Sequence, residues 1–163
     1  MSNQRTRFIL DQLPLRGVHV NLEQVWQHIV GQKNYPAPIA RALGELVAAG
    51  ALLAANLKFD GTFILQVQGT GVLKLLVAEA TSEQTCRGTA RFDESADIAD
   101  DASLQDLMGE QGQFVLTLQP RQGEMWQGIV GLQGTSIAQM LANYLAQSEH
   151  LDSDLLLAAD AKQ

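Results

Sequence analysis

LGELVAAGALLAANLKFDGTFILQVQGTG, residues 43–71, joins a run of small and aliphatic residues to an alternating stretch through Asp60-Gly61. From Leu46 to Asn56 nearly every helical face is apolar, so a helix here cannot lie half in water and is expected to be buried. The apolar run is about a dozen residues, short of the twenty or so that a bilayer span requires. Burying Leu46, Val47, Leu52, Leu53 and Leu57 is worth roughly 8 to 15 kcal/mol, well above the cost of about 1 kcal/mol for Gly50 inside a helix. After Asp60-Gly61 the pattern changes period. Phe63, Leu65 and Val67 alternate with Thr62, Ile64, Gln66 and Gln68, and Val72 to Ala78 continues beyond Gly69-Thr70-Gly71, which predicts a β-hairpin.

Upstream, Phe8, Ile9 and Leu13 suggest one face of a short helix closed by Pro14, followed by a strand over Leu15 to Val20. Asn21, with Gln24 three residues on, reads as the N-cap of a helix carrying Leu22, Val25, Trp26 and Ile29 and ending at Gly31. Tyr35-Pro36-Ala37-Pro38 forms a rigid entry to the long helix, Pro38 being tolerated in the first turn.

Downstream, Cys86 to Phe92 reads as a strand and Asp93 to Ser103 as an acidic surface loop. Leu104 to Met108 fits one helical turn capped by Ser103. Gln113 to Gln119 and Met125 to Leu132 form a second hairpin about PRQG, residues 120–123. Its segments FVLTLQ and IVGLQGT echo FILQVQGT of the first hairpin, which reads as shared half-buried strand chemistry ahead of an internal repeat. Ser136 and Gln139 make a capping box for a helix that buries Ile137, Met140, Leu141, Tyr144 and Leu145. Leu155 to Ala158 begins like a strand without an obvious partner. The fold class expected is α+β: a layered, largely antiparallel twisted sheet packed with helices, with the central helix sequestered between layers.

The 163 residues amount to one domain, residues 1–163. A single cysteine, Cys86, excludes an intrachain disulfide and any Cys-X-X-Cys motif. The formal charge of -7 and eleven dispersed lysines and arginines argue against a nucleic-acid partner. The N-terminal apolar run ends at Asp11, too short for a signal-peptide core, and a reducing cytoplasm is expected.

Each candidate site has a plainer explanation. Gly69 and Gly71 lead into a strand and lack the helix and third glycine of a dinucleotide fingerprint. Gly131, Gly134, Thr135 and Ser136 precede a helix whose N-terminus can hold an anion, but ordinary capping accounts for them. Glu94, Asp97, Asp100 and Asp101 lack the spacing of a calcium loop. His19, His28 and His150 are scattered at no metal-ligand spacing. Ser148-Glu149-His150 lacks a nucleophile elbow, and Cys86 beside Arg87 reads as a small strand residue rather than a thiolate. No catalytic, cofactor-binding or metal residue is assigned, an enzyme is not expected, and client-binding residues cannot be separated from core residues by type.

Three segments together carry a resemblance. YPAPIARALGELVAAGALLAANLKFDGTFILQVQGTGVLKLLVAEA (35–80), CRGTARFD (86–93) and GEMWQGIVGLQGTSIAQMLANYLAQSEHL (123–151) resemble the N-terminal core domain of the heat shock protein 33 family, from about Arg16 to Leu157. The motifs LKFDG, QGTG, RGTAR and WQGIVGL stand in the family's order. The resemblance implies an ATP-independent holdase of the bacterial cytoplasm that binds unfolding proteins under oxidative stress, with no nucleic-acid or membrane partner. It also implies homodimers, and an uncovered strand edge in a shortened core invites strand or domain exchange between copies. The family's switch is a C-terminal zinc module of four cysteines joined by a helical linker. Cys86 maps to none of those ligands, so no cofactor is expected in this chain, and residues 1–163 are expected to be a core truncated before the linker and zinc module. The leading expectation is a chaperone core that binds clients through apolar surface without a redox switch. The alternative is a folded or dimerising piece that ignores clients, and a small-molecule enzyme stands last.

Overall fold

The described part of the chain, residues 2–161 of a computed structural model, forms β1 (Asn3–Ile9), β2 (Arg16–Leu22), α1 (Glu23–Gln32), α2 (Ala37–Ala54), β3 (Gly61–Gln68), β4 (Leu73–Thr81), β5 (Cys86–Phe92), α3 (Leu104–Met108), β6 (Gln113–Pro120), β7 (Trp126–Val130) and α4 (Ile137–Ser148). Five strands make an antiparallel sheet in the order β5-β4-β3-β6-β7, and β1 and β2 make a separate two-stranded hairpin. The α+β expectation holds, with largely antiparallel strands layered against helices.

α2 is the organising element, as its composition requires. Ile39, Leu43, Leu46 and Ala49 are wholly buried, and Pro38 lies in the first turn, where its missing N–H has no helical partner. By length and composition α2 is apolar enough to cross a bilayer, but 67% of it is buried within the fold, so it is a core helix. The helix ends at Ala54, and Leu57 lies outside it.

Register puts all four helices on one side of the large sheet or at its end. Gly88, Ala78, Leu65, Leu116 and Gly128 are cross-strand partners in one row. A Cβ on Gly88 would meet Val47 of α2 at 2.6 Å, and one on Gly128 would meet the Tyr144 hydroxyl of α4 at 2.7 Å. Both helices therefore cover the same face, and glycine at these two positions lets them approach. The connection from α1 to α2 joins that layer through Tyr35 and Lys33, which pack on Phe92 of β5 with ring centroids 6.2 Å apart and the ammonium 4.8 Å from the ring. α3 sits at the end of the sheet, where Thr70 and Gly71 donate to the Met108 carbonyl at 2.7 and 2.8 Å. The β1–β2 hairpin packs beside α2, Val20 and Leu22 lining a cavity with Ala51 and Ala80, and Ala159 lies against Gly44 of α2.

Four local expectations are corrected. Phe8 and Ile9 belong to a strand, not a helix: β1 pairs along its whole length with β2, Phe8 opposite Gly17, whose missing side chain leaves room for the ring. Pairing supplies the hydrogen bonds that a strand at Arg16–Leu22 needs and a short helix would not provide. The N-cap of α1 is Leu22; Asn21 still accepts from Glu23 N, while Asn3 Oδ1 takes the N–H groups of Gln24 and Val25. The box at α4 is rearranged: Ser136 Oγ accepts from Gln139 N, but Gln139 Oε1 turns to Thr135. Leu155 to Ala158 has the period of a strand but no ladder partner among the described residues. Leu155, Leu157 and Ala161 pack against the core instead, while Leu156 is 96% exposed.

Candidate functional site

The sheet face opposite the helices carries the side chains that alternate with the buried row. Thr89, Val77, Gln66, Val115 and Ile129 are cross-strand partners there, and Arg87, Glu79, Ile64, Thr117 and Gln127 form the next row. Gln127 Nε2 donates to Thr117 Oγ1 at 3.1 Å and Arg87 Nε to Glu79 Oε2 at 2.6 Å, so the polar groups at both margins are matched. The row Thr89, Val77, Gln66, Val115 and Ile129 is uncharged, and among the described residues no helix covers it. Its aliphatic groups supply hydrophobic contact, and the Gln66 carboxamide can both donate to and accept from a polypeptide backbone.

A second apolar surface is the tip of the β1–β2 hairpin. Phe8, Ile9, Leu10, Leu13 and Leu15 are all exposed there, Ile9 by 78%. Arg5, Arg7 and Arg16 flank the tip, opposed only by Asp11, so this arm is basic on an acidic protein. The sequence reading placed part of this segment in a helix and missed the arm. The signal available was the strand at Leu15 to Val20, which demanded a partner, and the alternation of Arg5 and Arg7 with Thr6 and Phe8.

The residues singled out by motif are dispersed. The N–H groups of Thr70 and Gly71, which a phosphate would need, are taken by the Met108 carbonyl. The start of α4 is closed by the Ser136, Gln139 and Thr135 contacts, and the Gly134 carbonyl accepts from Gln105 at 2.7 Å. In the acidic loop, Glu94 pairs with Lys33 at 2.8 Å and Asp93 accepts from both N and Oγ of Ser95, which holds its carboxyl below the usual range. Asp106 is likewise lowered by the Ser103 backbone and hydroxyl in the capping box of α3.

His19 lies on exposed β2, His28 contacts Gln32 on α1, and His150 follows α4 with φ of 52°. No side-chain hydrogen bond joins Ser148, Glu149 and His150. Burial pushes the Cys86 thiol above its ordinary range, and Arg87 is engaged by Glu79, so a thiolate is disfavoured there. Cys86 lines a cavity of about 70 Å³ with Ala51, Ala54 and Ala80. The Tyr144 hydroxyl is buried without a partner beneath Gly128 and the Trp126 ring, and burial, then Glu149, raises its pKa. Among the described residues no three His, Cys, Asp or Glu side chains come together as a metal site.

Comparison with known proteins gives a match to the family model described as Hsp33 protein over residues 3–163, which takes in the basic hairpin as well as the motifs. The chain belongs to the Hsp33 family. A 33 kDa chaperonin of Neisseria meningitidis serogroup A is 67% identical over 155 residues, covering 95% of this chain and 51% of that protein. One from Chromobacterium violaceum is 49% identical, covering 94% and 52%. The chain thus spans about half the length of the curated relatives it matches, and both of these are named 33 kDa chaperonin. The crystal structure of the Hsp33 homologue from Thermotoga maritima superposes with a TM-score of 0.69 at 24% identity, over 83% of this chain and 47% of that one, and supports the fold.

Proposed function

We propose that residues 1–163 act as an ATP-independent holdase core of the bacterial cytoplasm that captures unfolding proteins on the open face of the five-stranded sheet. The observation that carries this reading is the uncharged strip of Val77, Gln66, Val115 and Ile129, held rigid by strand pairing and left uncovered by every helix. Rigid aliphatic surface captures exposed side chains of partly unfolded chains without regard to sequence, and the carboxamides engage their free backbone. The net charge of -7 keeps such complexes soluble. Burial raises the pKa of the Cys86 thiol and disfavours the reactive thiolate, so suppression by residues 1–163 is expected to be unchanged by peroxide.

The test is light scattering from a thermally unfolding client enzyme at increasing ratios of this protein, with and without peroxide and chelator. Suppression that ignores both additives is expected, and Val77→Glu with Val115→Glu weakens it. Activity that requires peroxide, no suppression at any excess, or a double variant as active as the original chain would sink the reading. The last result, if confined to the sheet variant, redirects client capture to the hairpin tip, where Ile9→Asp with Leu13→Asp is the corresponding change.

A further inference from the structure

The β1–β2 hairpin divides at Arg7. Up to that point it is fastened to the fold: Arg7 donates to the Ala55 carbonyl at the end of α2, Asn3 Oδ1 accepts from Gln24 N and Val25 N of α1, and Arg5 lines a cavity beside Ala54. Beyond it the chain runs out into solvent. Phe8, Ile9, Leu10, Leu13 and Leu15 are 43% to 78% exposed. The turn is closed by its own backbone, Leu10 N donating to Leu15 O at 3.0 Å and Leu15 N to Leu13 O at 2.7 Å. These apolar groups are ordered before any contact is made, so little conformational entropy is lost when they are covered.

Charge divides at the same hairpin. Residues 3–22 hold Arg5, Arg7 and Arg16 against Asp11, a net +2, which leaves eight basic and seventeen acidic residues, a net -9, in the rest of the chain. Such a charge dipole turns the arm first toward an anionic surface. Arg16 pairs with Ile9 at the base of the turn, so a guanidinium stands beside the most exposed apolar side chain of the tip. Apolar groups outermost with cations behind them match the order of acyl chains and phosphates at a bilayer surface, and guanidinium pairs with phosphate through two parallel hydrogen bonds. An unfolded client or an acidic peptide has no such layering.

We propose that the hairpin tip, residues 8–16, docks on an anionic phospholipid surface, with Ile9, Leu10 and Leu13 entering the acyl boundary and Arg16 at the level of the phosphates. The partly exposed side chains of the tip offer apolar contact on the order of a single acyl chain, which alone gives marginal, reversible attachment. The arginines are the second signal, and they make the attachment selective for anionic lipid. It is peripheral and weakens as salt screens it. Asp11, in the turn itself, opposes it. The open sheet face takes no part, so docking stands independently of client capture there.

Flotation of the full chain with vesicles tests the docking, phosphatidylglycerol mixed with phosphatidylcholine against phosphatidylcholine alone. Binding to the mixed vesicles is expected, with loss toward about 1 M salt, where the Debye length falls to roughly 3 Å. Arg16→Glu weakens it about tenfold or more, and Arg16→Lys keeps it. Asp11→Asn strengthens it, Ile9→Asp with Leu13→Asp abolishes it, and Val77→Glu with Val115→Glu on the sheet face leaves it unchanged. No flotation with the anionic vesicles overturns the proposal, as does equal flotation with phosphatidylcholine alone or undiminished flotation of the Ile9→Asp, Leu13→Asp variant. A tip that captures clients yet ignores vesicles is a polypeptide site and overturns it too. Hydrogen exchange over β1 and β2 reports whether the hairpin stays folded in each variant. Where the double variant loosens the hairpin, the contrast of Arg16→Glu with Arg16→Lys decides, and equal flotation of those two overturns the proposal.

Discussion

The guanidinium of Arg7 donates to the carbonyl oxygen of Ala55, so a strand of the outer hairpin caps the C-terminal end of the buried helix α2. Terminal helix carbonyls have no intrahelical donor, and a cation placed there also meets the negative end of the helix dipole. Arg7→Ala is expected to cost about 1 to 2 kcal/mol and to raise hydrogen exchange throughout β1 and β2. Arg7→Lys should recover part of the loss. Unchanged exchange in the hairpin on Arg7→Ala would mean that the arm is held by other contacts.

Leu46 is wholly inaccessible at the centre of α2. Leu46→Ala removes its burial and leaves a cavity, so a loss of about 2 to 5 kcal/mol is expected in urea unfolding. On total stabilities of about 5 to 15 kcal/mol this is a large fraction. A loss below about 1 kcal/mol would place the helix outside the main core.

Gly44 faces the segment after α4: a Cβ there would meet that of Ala159 at 2.4 Å. In Gly44→Ala, the helix gains about 1 kcal/mol of propensity while the neighbouring segment is pushed away. Faster hydrogen exchange over residues 155–161 is expected, with little change in the global unfolding midpoint. Retained protection there would show that the segment adjusts without leaving.

Glu45 is half-buried in α2, and desolvation raises its pKa against the opposing pull of Arg41. A carboxyl raised in the folded state binds more protons folded than unfolded, so stability falls as pH rises from the unfolded value through the folded one. Glu45→Gln should therefore raise the melting temperature at neutral pH, and the advantage should vanish below the carboxylate range. An advantage that is constant from pH 4 to pH 8, about the span of an ordinary carboxyl titration, would assign the effect to something other than charge.

Much of the architecture was legible because it rests on local periodicity. The all-round apolarity of α2, the alternation in β3 and β6, and the Ser103 cap of α3 each follow from residues within one turn or one strand. β1 was not legible, because Phe8, Ile9 and Leu13 carry apolar groups that point to solvent, and periodicity assumes that such groups seek the core. The segment at Leu155 has the alternation of a strand, but period alone cannot report whether a partner stands beside it. The open sheet face was hidden for a related reason: Val77, Val115 and Ile129 are chemically indistinguishable from core residues until register shows on which side the helices lie. The dispersal of the histidines and the lack of a second cysteine were plain from the sequence.

Trp26 Nε1 donates to the Asp160 carbonyl at 2.8 Å, across 134 residues of chain. During synthesis at about 5 to 20 residues per second, α1 waits roughly 7 to 27 seconds before that acceptor has been made. Once Thr81 has been added, about 3 to 11 seconds into that interval, the indole of Trp26 and the groove at Gly44 are bare on a nascent chain whose β3–β4 hairpin has all its residues. The molecule must therefore remain soluble, for a time, with its own sticky surface unsheltered.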